Sequence, residues 1–258
     1  MDDIGLLDVA LSLVLIVLAG AIAWWFRLGV TRDLAIATVR AGVQLIAVGF
    51  LLAFIFEAAG SMWWAWLWVA SMVAITSFVA RRRSPQIPGG AVVTLAATAA
   101  ATGVCLAVIF GLGVLEYTAI NVVVIAGITI GNTLPSIVLA GKQLVDALRD
   151  GRGRLEALLA LGFGIDQVTR VAGADIARRA LVPQIERTNV VGLIALPGAM
   201  TGLLLAGAEP LDAVLVQIIV MYLVLGAVAA STLAAVVLGI RRSFTSDLRL
   251  IDVDYERV

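Results

Sequence analysis

The long apolar stretches of this sequence contain few side chains that could do chemistry. The 258 residues contain no histidine and a single cysteine, Cys105, which sits inside an apolar run. Histidine is the commonest metal ligand and general base, so its absence argues against zinc hydrolysis and against Ser-His catalysis. A membrane-embedded enzyme is therefore the weakest of the functional hypotheses.

Two apolar segments are interrupted by residues that weaken a helix. "GITIGNTLP" carries Asn132 and Pro135, and "ALPGAMTG" carries Pro197, Gly198 and Met200. Proline removes a backbone hydrogen bond, and interrupted helices mark transport sites in membranes, so we predict these residues as candidates for a translocation path. The alternative is packing, because small residues spaced four apart let helices approach closely and methionine fills gaps.

Three more polar residues lie at membrane depth and join the candidate path. Arg40 and Gln44 are one turn apart in the second apolar segment, and Gln217 lies in the last one. Simpler explanations remain open for two of them. Arg40 can extend to the lipid headgroups, and Gln217 can form a hydrogen bond between helices.

The elements that position these residues are predicted to be membrane spans. The chain is 62% hydrophobic and 14% charged, with a mean hydropathy of +1.07, whereas soluble domains carry about 25% charged residues. Apolar windows close to the ~20 residues that cross ~30 Å of hydrocarbon recur along the chain. We predict an all-α, polytopic integral membrane protein of one domain over 1–258, with seven spans at 5–26, 34–56, 62–80, 91–113, 119–140, 188–207 and 212–239.

The distribution of charge predicts the orientation. Of the 18 lysines and arginines, all except Arg40 fall on one side of the seven-span arrangement, which the positive-inside rule assigns to the cytoplasm. The N-terminus is then outside and the C-terminus cytoplasmic, with a cytoplasmic helical segment at 141–187. The first span follows Asp2 and Asp3 instead of a basic region, so we expect it to be retained and not cleaved as a signal peptide.

Residues 142–150 are predicted to extend the helix of span five beyond the membrane. Two further helices are predicted in the rest of the cytoplasmic segment. "GRG" (151–153) should break the chain, and Gly162 and Gly164 should end a short helix. Asp166 is the predicted N-cap of a second helix that ends before Pro183. The short helix presents an apolar face that suits either a lipid surface or the groove of a soluble partner. Its members are Leu155, Leu158, Leu159 and Leu161.

Two stretches of this region resemble a known transporter family. "EALLALG" (156–162) resembles the loop of ABC-transporter permeases that opens with Glu-Ala-Ala; Glu156, Ala157 and Gly162 match, and Leu158 replaces the second alanine. The run over 190–227, which contains "LPGAMTG", closely resembles permeases of the FetB/YbbM type (UPF0014), which include plant aluminium-sensitivity homologues. "GN" at 131–132 and the stretch 40–56 agree, so the resemblance covers about 40–258. "LGFG" at 161–164 departs from the LGAT-like turn of the family.

The resemblance implies a non-catalytic permease subunit of an ABC exporter in the bacterial plasma membrane. It implies a homodimer among membrane lipids, no nucleic-acid partner, and a separate FetA-like ATPase subunit that holds ATP and Mg. Residues 154–164 would be the coupling helix, with Leu155, Glu156, Leu158, Leu159, Leu161 and Gly162 docking the ATPase. Iron or another metal ion is the implied cargo, although plant relatives are linked to a nucleotide sugar. In agreement, the sequence has no P-loop motif. An autonomous channel or secondary transporter is the alternative.

Overall fold

The computed structural model describes residues 5–57, 62–84, 87, 89–245 and 250–251. Within these ranges the chain is helical, with isolated β-bridges at Val191–Ala195 and Phe244–Leu250. It forms two compact units, Met1–Ser61 and Met62–Val258. The helices are α1 (Leu6–Trp25), α2 (Thr31–Glu57), α3 (Met62–Arg83), α4 (Gly90–Gly111), α5 (Ala119–Asp150), α6 (Arg152–Ala160), α7 (Ile165–Asn189), α8 (Gly198–Leu205) and α9 (Pro210–Arg242).

Five of the described helices are long and apolar enough to cross a membrane. They are α3, α4, α5, α9 and the part of α2 over Thr31–Ala53, and α1 contributes a shorter apolar helix at Ala10–Trp25. The prediction of an all-helical polytopic membrane protein is therefore confirmed. Six of the seven predicted spans coincide with a helix whose ends lie within a few residues of the prediction, apart from the long extension of α5.

The sixth predicted span, 188–207, is not one continuous helix in the structure. The chain leaves α7 at Asn189, runs without helix through 190–197, and forms only the eight-residue α8. At 1.5 Å per residue, α8 covers about 12 Å, less than half of the hydrocarbon thickness. Gly192 has a φ of +84° and donates its N–H to the Ala195 carbonyl at 3.0 Å, which turns the chain back on itself.

The first unit is a pair of helices joined by a tight turn. Leu28 N–H donates to the Ala23 carbonyl at 2.9 Å, and Arg27 and Gly29 both take positive φ values, 53° and 72°. Most side chains of both helices are exposed, and those of α2 are largely apolar. This is the surface expected of helices that face lipid or other protein in a membrane.

The second unit is a bundle in which α3, α5 and α9 run in the same direction and α4 runs opposite. Met72 lies against Gly127 and Ser84 Oγ donates to the Val138 carbonyl, so residue numbers increase together along α3 and α5. One apolar cluster joins the four helices through Ala80, Val93, Ala97, Ile137 and Ala235. A second cluster, which we call the lower core, packs α5, α6, α7 and α9 together; among its members are Leu144, Leu155, Val168, Ile176 and Ile240.

Glycines allow the closest approaches in this bundle. A methyl group at Gly239 of α9 would collide with Leu144, and one at Gly173 of α7 would lie 3.3 Å from Ile240 and 3.4 Å from Val236. The α7–α9 and α5–α9 contacts therefore depend on a missing side chain at these two positions.

We expect Gly239→Ala to lower the free energy of unfolding by about 1–3 kcal/mol, because the added methyl overpacks the contact with Leu144. Gly226→Ala on the same helix is the matched control, because a methyl there meets nothing within 4 Å. That substitution should gain up to about 1 kcal/mol from helix propensity. Denaturant unfolding of both variants in detergent measures the difference, and a shift of the same sign in both would contradict the close contact.

Residues 141–187 contain the two predicted helices with different boundaries. The extension of α5 to Asp150 is confirmed, but the break is Gly151 alone, and Gly153 lies inside α6. A side chain at Gly151 would lie 2.6 Å from the Ala147 carbonyl, which explains why the turn needs glycine there. Gly162 ends α6 as predicted, with a φ of +87°.

Two predictions about α7 were wrong. Its N-cap is Gly164, whose N–H donates to Gln167 Oε1 at 3.0 Å, while Asp166 lies in the first turn and pairs with Arg241 at 2.8 Å. Pro183 does not end the helix, which continues to Asn189. Ala180 and Gln184 are buried on either side of this proline, so packing holds the helix together across the missing hydrogen bond.

Candidate transport site and docking segment

A layer of hydroxyl groups lies next to the apolar cluster that joins α3, α4, α5 and α9. Within about one turn of that cluster, and on the same side of it, each helix contributes a buried serine or threonine. We call this set the hydroxyl layer: Thr76, Ser77, Thr98, Thr133, Ser231 and Thr232. Side chains this deep in a membrane bundle are expected to find hydrogen-bond partners.

Part of the hydroxyl layer is satisfied within its own helices. Ser77 donates to the Val73 carbonyl at 2.7 Å, Thr133 to the Ile130 carbonyl at 3.0 Å and Ser231 to the Val228 carbonyl at 3.0 Å. Thr98 and Thr232 are both fully buried, and their Oγ1 atoms have no partner among the described residues. A buried hydroxyl without a partner costs about 1–3 kcal/mol, so these two positions call for an explanation beyond packing.

Asn132 adjoins the layer and connects it to α7. Its Nδ2 donates to the Ile128 carbonyl at 2.8 Å, which fixes the amide, and its Oδ1 accepts from Arg187 Nη1 at 3.4 Å. Pro135, one turn later and exposed, has no N–H to give to the Gly131 carbonyl. The structure thus brings one predicted path residue, Asn132, together with an arginine that was predicted to lie in the cytoplasmic segment.

The register of α7 explains why Arg187 reaches this depth. In the lower core, Ile176 and Ala180 of α7 pack with Ala140 and Leu144 of the antiparallel α5. Continuing that register places the end of α7 beside Asn132, eight residues before Ala140 and so about 12 Å farther along α5. The predicted boundary at 187/188 therefore cuts through a helix whose last turns lie alongside predicted span five.

The three predicted path residues from "ALPGAMTG" lie at the start of α8. Pro197 is its N-cap residue in an extended conformation, followed by the exposed Gly198 and the half-buried Met200. The preceding non-helical residues are strongly exposed, with Leu193 at 88% and Ile194 at 83%. Lipid cannot satisfy the hydrogen bonds of irregular backbone, so at membrane depth this segment requires a cover of protein or water.

The remaining predicted path residues are in α9 and α2. Gln217 is buried in α9, and its Oε1 has no partner among the described residues. Arg40 and Gln44 are exposed on α2 in the first unit. Among the described residues there is also no group of three His, Cys, Asp or Glu side chains that could hold a metal ion.

An apolar crevice of about 410 Å³ lies between α4 and α9, farther along the bundle than the hydroxyl layer. Ala101, Cys105 and Ile109 line it from α4, and Leu223 and Ala227 line it from α9. The Cys105 thiol is 3.0 Å from Thr129 Oγ1, so it already has a hydrogen-bond partner in the bundle.

The leucines of α6 divide into an inward group and an exposed one. Leu155 is buried in the lower core, with Leu158 and Leu159 packed against it. Leu161 is 75% exposed and Phe163 is 37% exposed on either side of Gly162. We call Leu161, Gly162 and Phe163 the docking tip, because they form the turn between α6 and α7.

The charged residues of α6 and of the neighbouring groove are mostly exposed. Glu156 is exposed and pairs with Arg152 at 2.8 Å within α6. A groove of about 610 Å³ separates the end of α5 from α6 and α7, and charges of both signs line it. They are Asp146, Asp150, Arg154, Asp175 and Arg179. A soluble partner would therefore meet an apolar tip beside a polar groove.

Sequence reasoning missed Arg187, Thr98 and Thr232. Arg187 was assigned to the cytoplasm because it precedes an apolar run, and only the register of α7 on α5 shows its depth. The threonines left a detectable signal, since Thr94, Thr98 and Thr102 recur every four residues in α4 and so share one face. Hydroxyl residues at helical spacing in an apolar span mark a buried polar stripe.

Comparison with known proteins identifies the family. Residues 6–244 match the Uncharacterised protein family UPF0014. The chain is 34% identical over 255 residues to the UPF0014 membrane protein STAR2 of Oryza sativa subsp. japonica, across 96% of this chain and 87% of that protein. It is 31% identical to Protein ALUMINUM SENSITIVE 3 of Arabidopsis thaliana, over 95% and 90% of the two chains.

A third relative is named as a transporter. Over 244 residues the chain is 30% identical to the Probable iron export permease protein FetB of Escherichia coli, which covers 95% of this chain and 94% of that protein. No solved structure matches the chain. The match along nearly the whole length, together with the apolar helices described above, shows that this chain is a membrane protein of the UPF0014 family.

Proposed function

We propose that this chain is the permease subunit of an ABC exporter, driven by a separate ATPase subunit and carrying iron as cargo. The observation that carries the proposal is the docking tip, which holds Leu161 and Phe163 exposed while the other leucines of α6 pack inward. Exposed apolar anchors on a short helical turn suit insertion into the groove of a soluble partner. The name of the Escherichia coli relative supports the direction of transport and the cargo.

The proposal includes a topology of seven passages. The N-terminus lies outside, α1 crosses first, and the sixth passage is made by the end of α7, the non-helical residues 190–197 and α8. Discontinuous helices of this kind surround substrate sites in transporters. The docking tip then faces the cytoplasm of a bacterium, where ATP is available, and two copies of the chain assemble with two ATPase subunits.

Purification from the native membrane in mild detergent, followed by mass spectrometry and an ATPase assay, tests the proposal. We expect a P-loop ATPase to co-purify, and the pair to move iron across proteoliposomes only with ATP. A chain that elutes alone from several detergents, and that passes cargo without nucleotide, would instead establish an autonomous channel or secondary transporter.

The hydroxyl layer predicts an uncommon combination of effects for Thr98→Val. Valine replaces an unpartnered buried Oγ1 with a methyl group, so we expect a gain of about 1 kcal/mol in stability together with a loss of transport. Thr102→Val is the control, because Thr102 Oγ1 already donates to the Thr98 carbonyl at 2.8 Å and its removal brings no such gain. Unfolding in detergent and flux in proteoliposomes measure the two effects; wild-type flux in Thr98→Val would assign the hydroxyl to packing.

A further inference from the structure

The turn between α1 and α2 forms a cleft that carries two arginines and two tryptophans. Its volume is about 700 Å³, and its lining includes Trp24, Trp25, Arg27, Thr31 and Arg32. Ligand pockets in proteins commonly measure about 300–1,000 Å³. All of these residues belong to the first unit, so one compact part of the chain brings them together. Their combined chemistry decides which ligand suits the cleft.

Both arginines of the cleft are available to a ligand. Arg27 and Arg32 are exposed, and neither forms an ion pair or a side-chain hydrogen bond with another described residue. Asp33, the one acidic residue in the sequence between 9 and 56, does not line the cleft. The lining therefore carries two positive charges and no negative one, and the forked donors of guanidinium groups suit the oxygens of a phosphate.

The backbone at Arg27 is unusual for an arginine. Helix α1 ends in a Schellman motif, in which Arg27 N–H donates to the Trp24 carbonyl at 3.0 Å and Leu28 N–H donates to the Ala23 carbonyl at 2.9 Å. Arg27 occupies the left-handed position of this motif, with a φ of 53°, where glycine is the usual residue because a side chain is strained there. Strained residues concentrate at functional sites, which indicates a use for the guanidinium of Arg27.

The apolar side chains beside the arginines indicate a lipid and not a soluble anion. Trp24 and Trp25 are 71% and 77% exposed, and Phe26 follows them, also exposed. The turn joins two apolar helices, Ala10–Trp25 and Thr31–Ala53, so it lies at the surface of a membrane that both helices enter. Tryptophan prefers the headgroup level of a bilayer, where the phosphates lie. A phospholipid would cover these rings and present its phosphate to the arginines, whereas a soluble anion would leave the rings uncovered.

We propose that this cleft binds an anionic phospholipid, with the phosphate between Arg27 and Arg32 and with Trp24 and Trp25 at the level of the headgroup. Thr31 adds a hydroxyl donor from the first turn of α2. The site does not depend on the proposed export function, because its residues all lie in the first unit, away from the docking tip in the sequence.

The test is lipid binding to the purified full chain in mild detergent, followed by native mass spectrometry during titration with phosphatidylglycerol or phosphatidylcholine. We expect the first phosphatidylglycerol to bind more than about tenfold more tightly than phosphatidylcholine. Arg32→Gln should weaken phosphatidylglycerol binding about fivefold, the contribution of one arginine near an anionic lipid. Arg83→Gln is the matched control, because Arg83 is an exposed arginine at the end of α3 that does not line the cleft.

Arg27→Asn separates lipid binding from the stability of the turn. Asparagine tolerates the left-handed conformation better than arginine, so the Tm of this variant should equal or exceed that of the wild type. Phosphatidylglycerol binding should nevertheless weaken about fivefold, because the charge is lost. Wild-type lipid affinity in both Arg27→Asn and Arg32→Gln would overturn the site.

Two further outcomes decide between this site and its alternatives. Equal weakening in Arg32→Gln and Arg83→Gln would overturn the site, because the effect would then be general charge. Inorganic phosphate, added in excess as a competitor, separates a lipid from a soluble anion. Phosphatidylglycerol that stays bound supports the lipid site, and phosphatidylglycerol that is displaced would overturn the assignment of a lipid as the ligand.

Discussion

Leu161→Asp should abolish co-purification of the ATPase and lower ATP hydrolysis by the isolated complex more than tenfold. Leu161 is the most exposed apolar side chain of the docking tip, and a carboxylate in its place would have to enter an apolar pocket of the partner. Losing a central apolar anchor of an interface costs about 2 kcal/mol or more, which is roughly a 30-fold loss of affinity. Pull-down yield and ATPase rate of the eluate measure the effect.

Ala174→Asp is the matched control for this prediction. Ala174 is exposed in the middle of α7, so the variant adds the same charge to the same helical segment away from the docking tip. Leu155→Ala gives a contrast of another kind, since Leu155 is buried and its truncation should cost about 2–5 kcal/mol of stability. ATPase recovery at the wild-type level with Leu161→Asp would remove the docking tip from the interface.

Gly192→Ala should reduce transport about five- to thirty-fold while the protein still reaches the membrane. Gly192 holds a φ of +84° in the non-helical residues 190–197, and an L-residue in that conformation costs about 1–2 kcal/mol. The strain falls on the turn closed by the Gly192 N–H and the Ala195 carbonyl. Flux per reconstituted molecule is the measurement.

Gly202→Ala controls for the loss of a glycine from the same passage. Gly202 lies inside α8, where a methyl group meets nothing within 4 Å, so this variant should transport like the wild type. Equal flux in the two variants would mean that the turn at Gly192 is not needed for transport.

Most spans were predictable because length and apolarity alone decide them. Helices α3, α4 and α9 fall close to their predicted ranges, since about 20 apolar residues satisfy their backbone only as a helix in lipid. The sixth passage shows the limit of this argument. Residues 190–207 are apolar enough to lie in a membrane. Gly192 and Pro197 allow several backbone conformations there, and tertiary contacts select one of them.

Some residues of the candidate site could be predicted from their residue type alone, whereas the positions of others depend on tertiary packing. Asn132 and Pro135 stand out in an apolar helix at any depth, so the sequence marks them as candidates, and their role in transport stays a prediction. Arg187 acquires its position only when α7 continues through Pro183 and packs antiparallel to α5. Periodicity likewise predicted a leucine face on α6 but could not show that Leu155, Leu158 and Leu159 pack on the lower core of this chain, leaving Leu161 outside.

The close contact of Gly173 with α9 gives α7 unequal lever arms. Gly173 lies eight residues from the end of α7 at the docking tip and sixteen from the end at Asn189, about 12 Å and 24 Å. If α7 tilts as a rigid rod about that contact, a displacement at the tip is doubled at the far end and reversed in direction. A displacement of about 1 Å at the docking tip would then move the end of α7 at Asn189 by about 2 Å the opposite way.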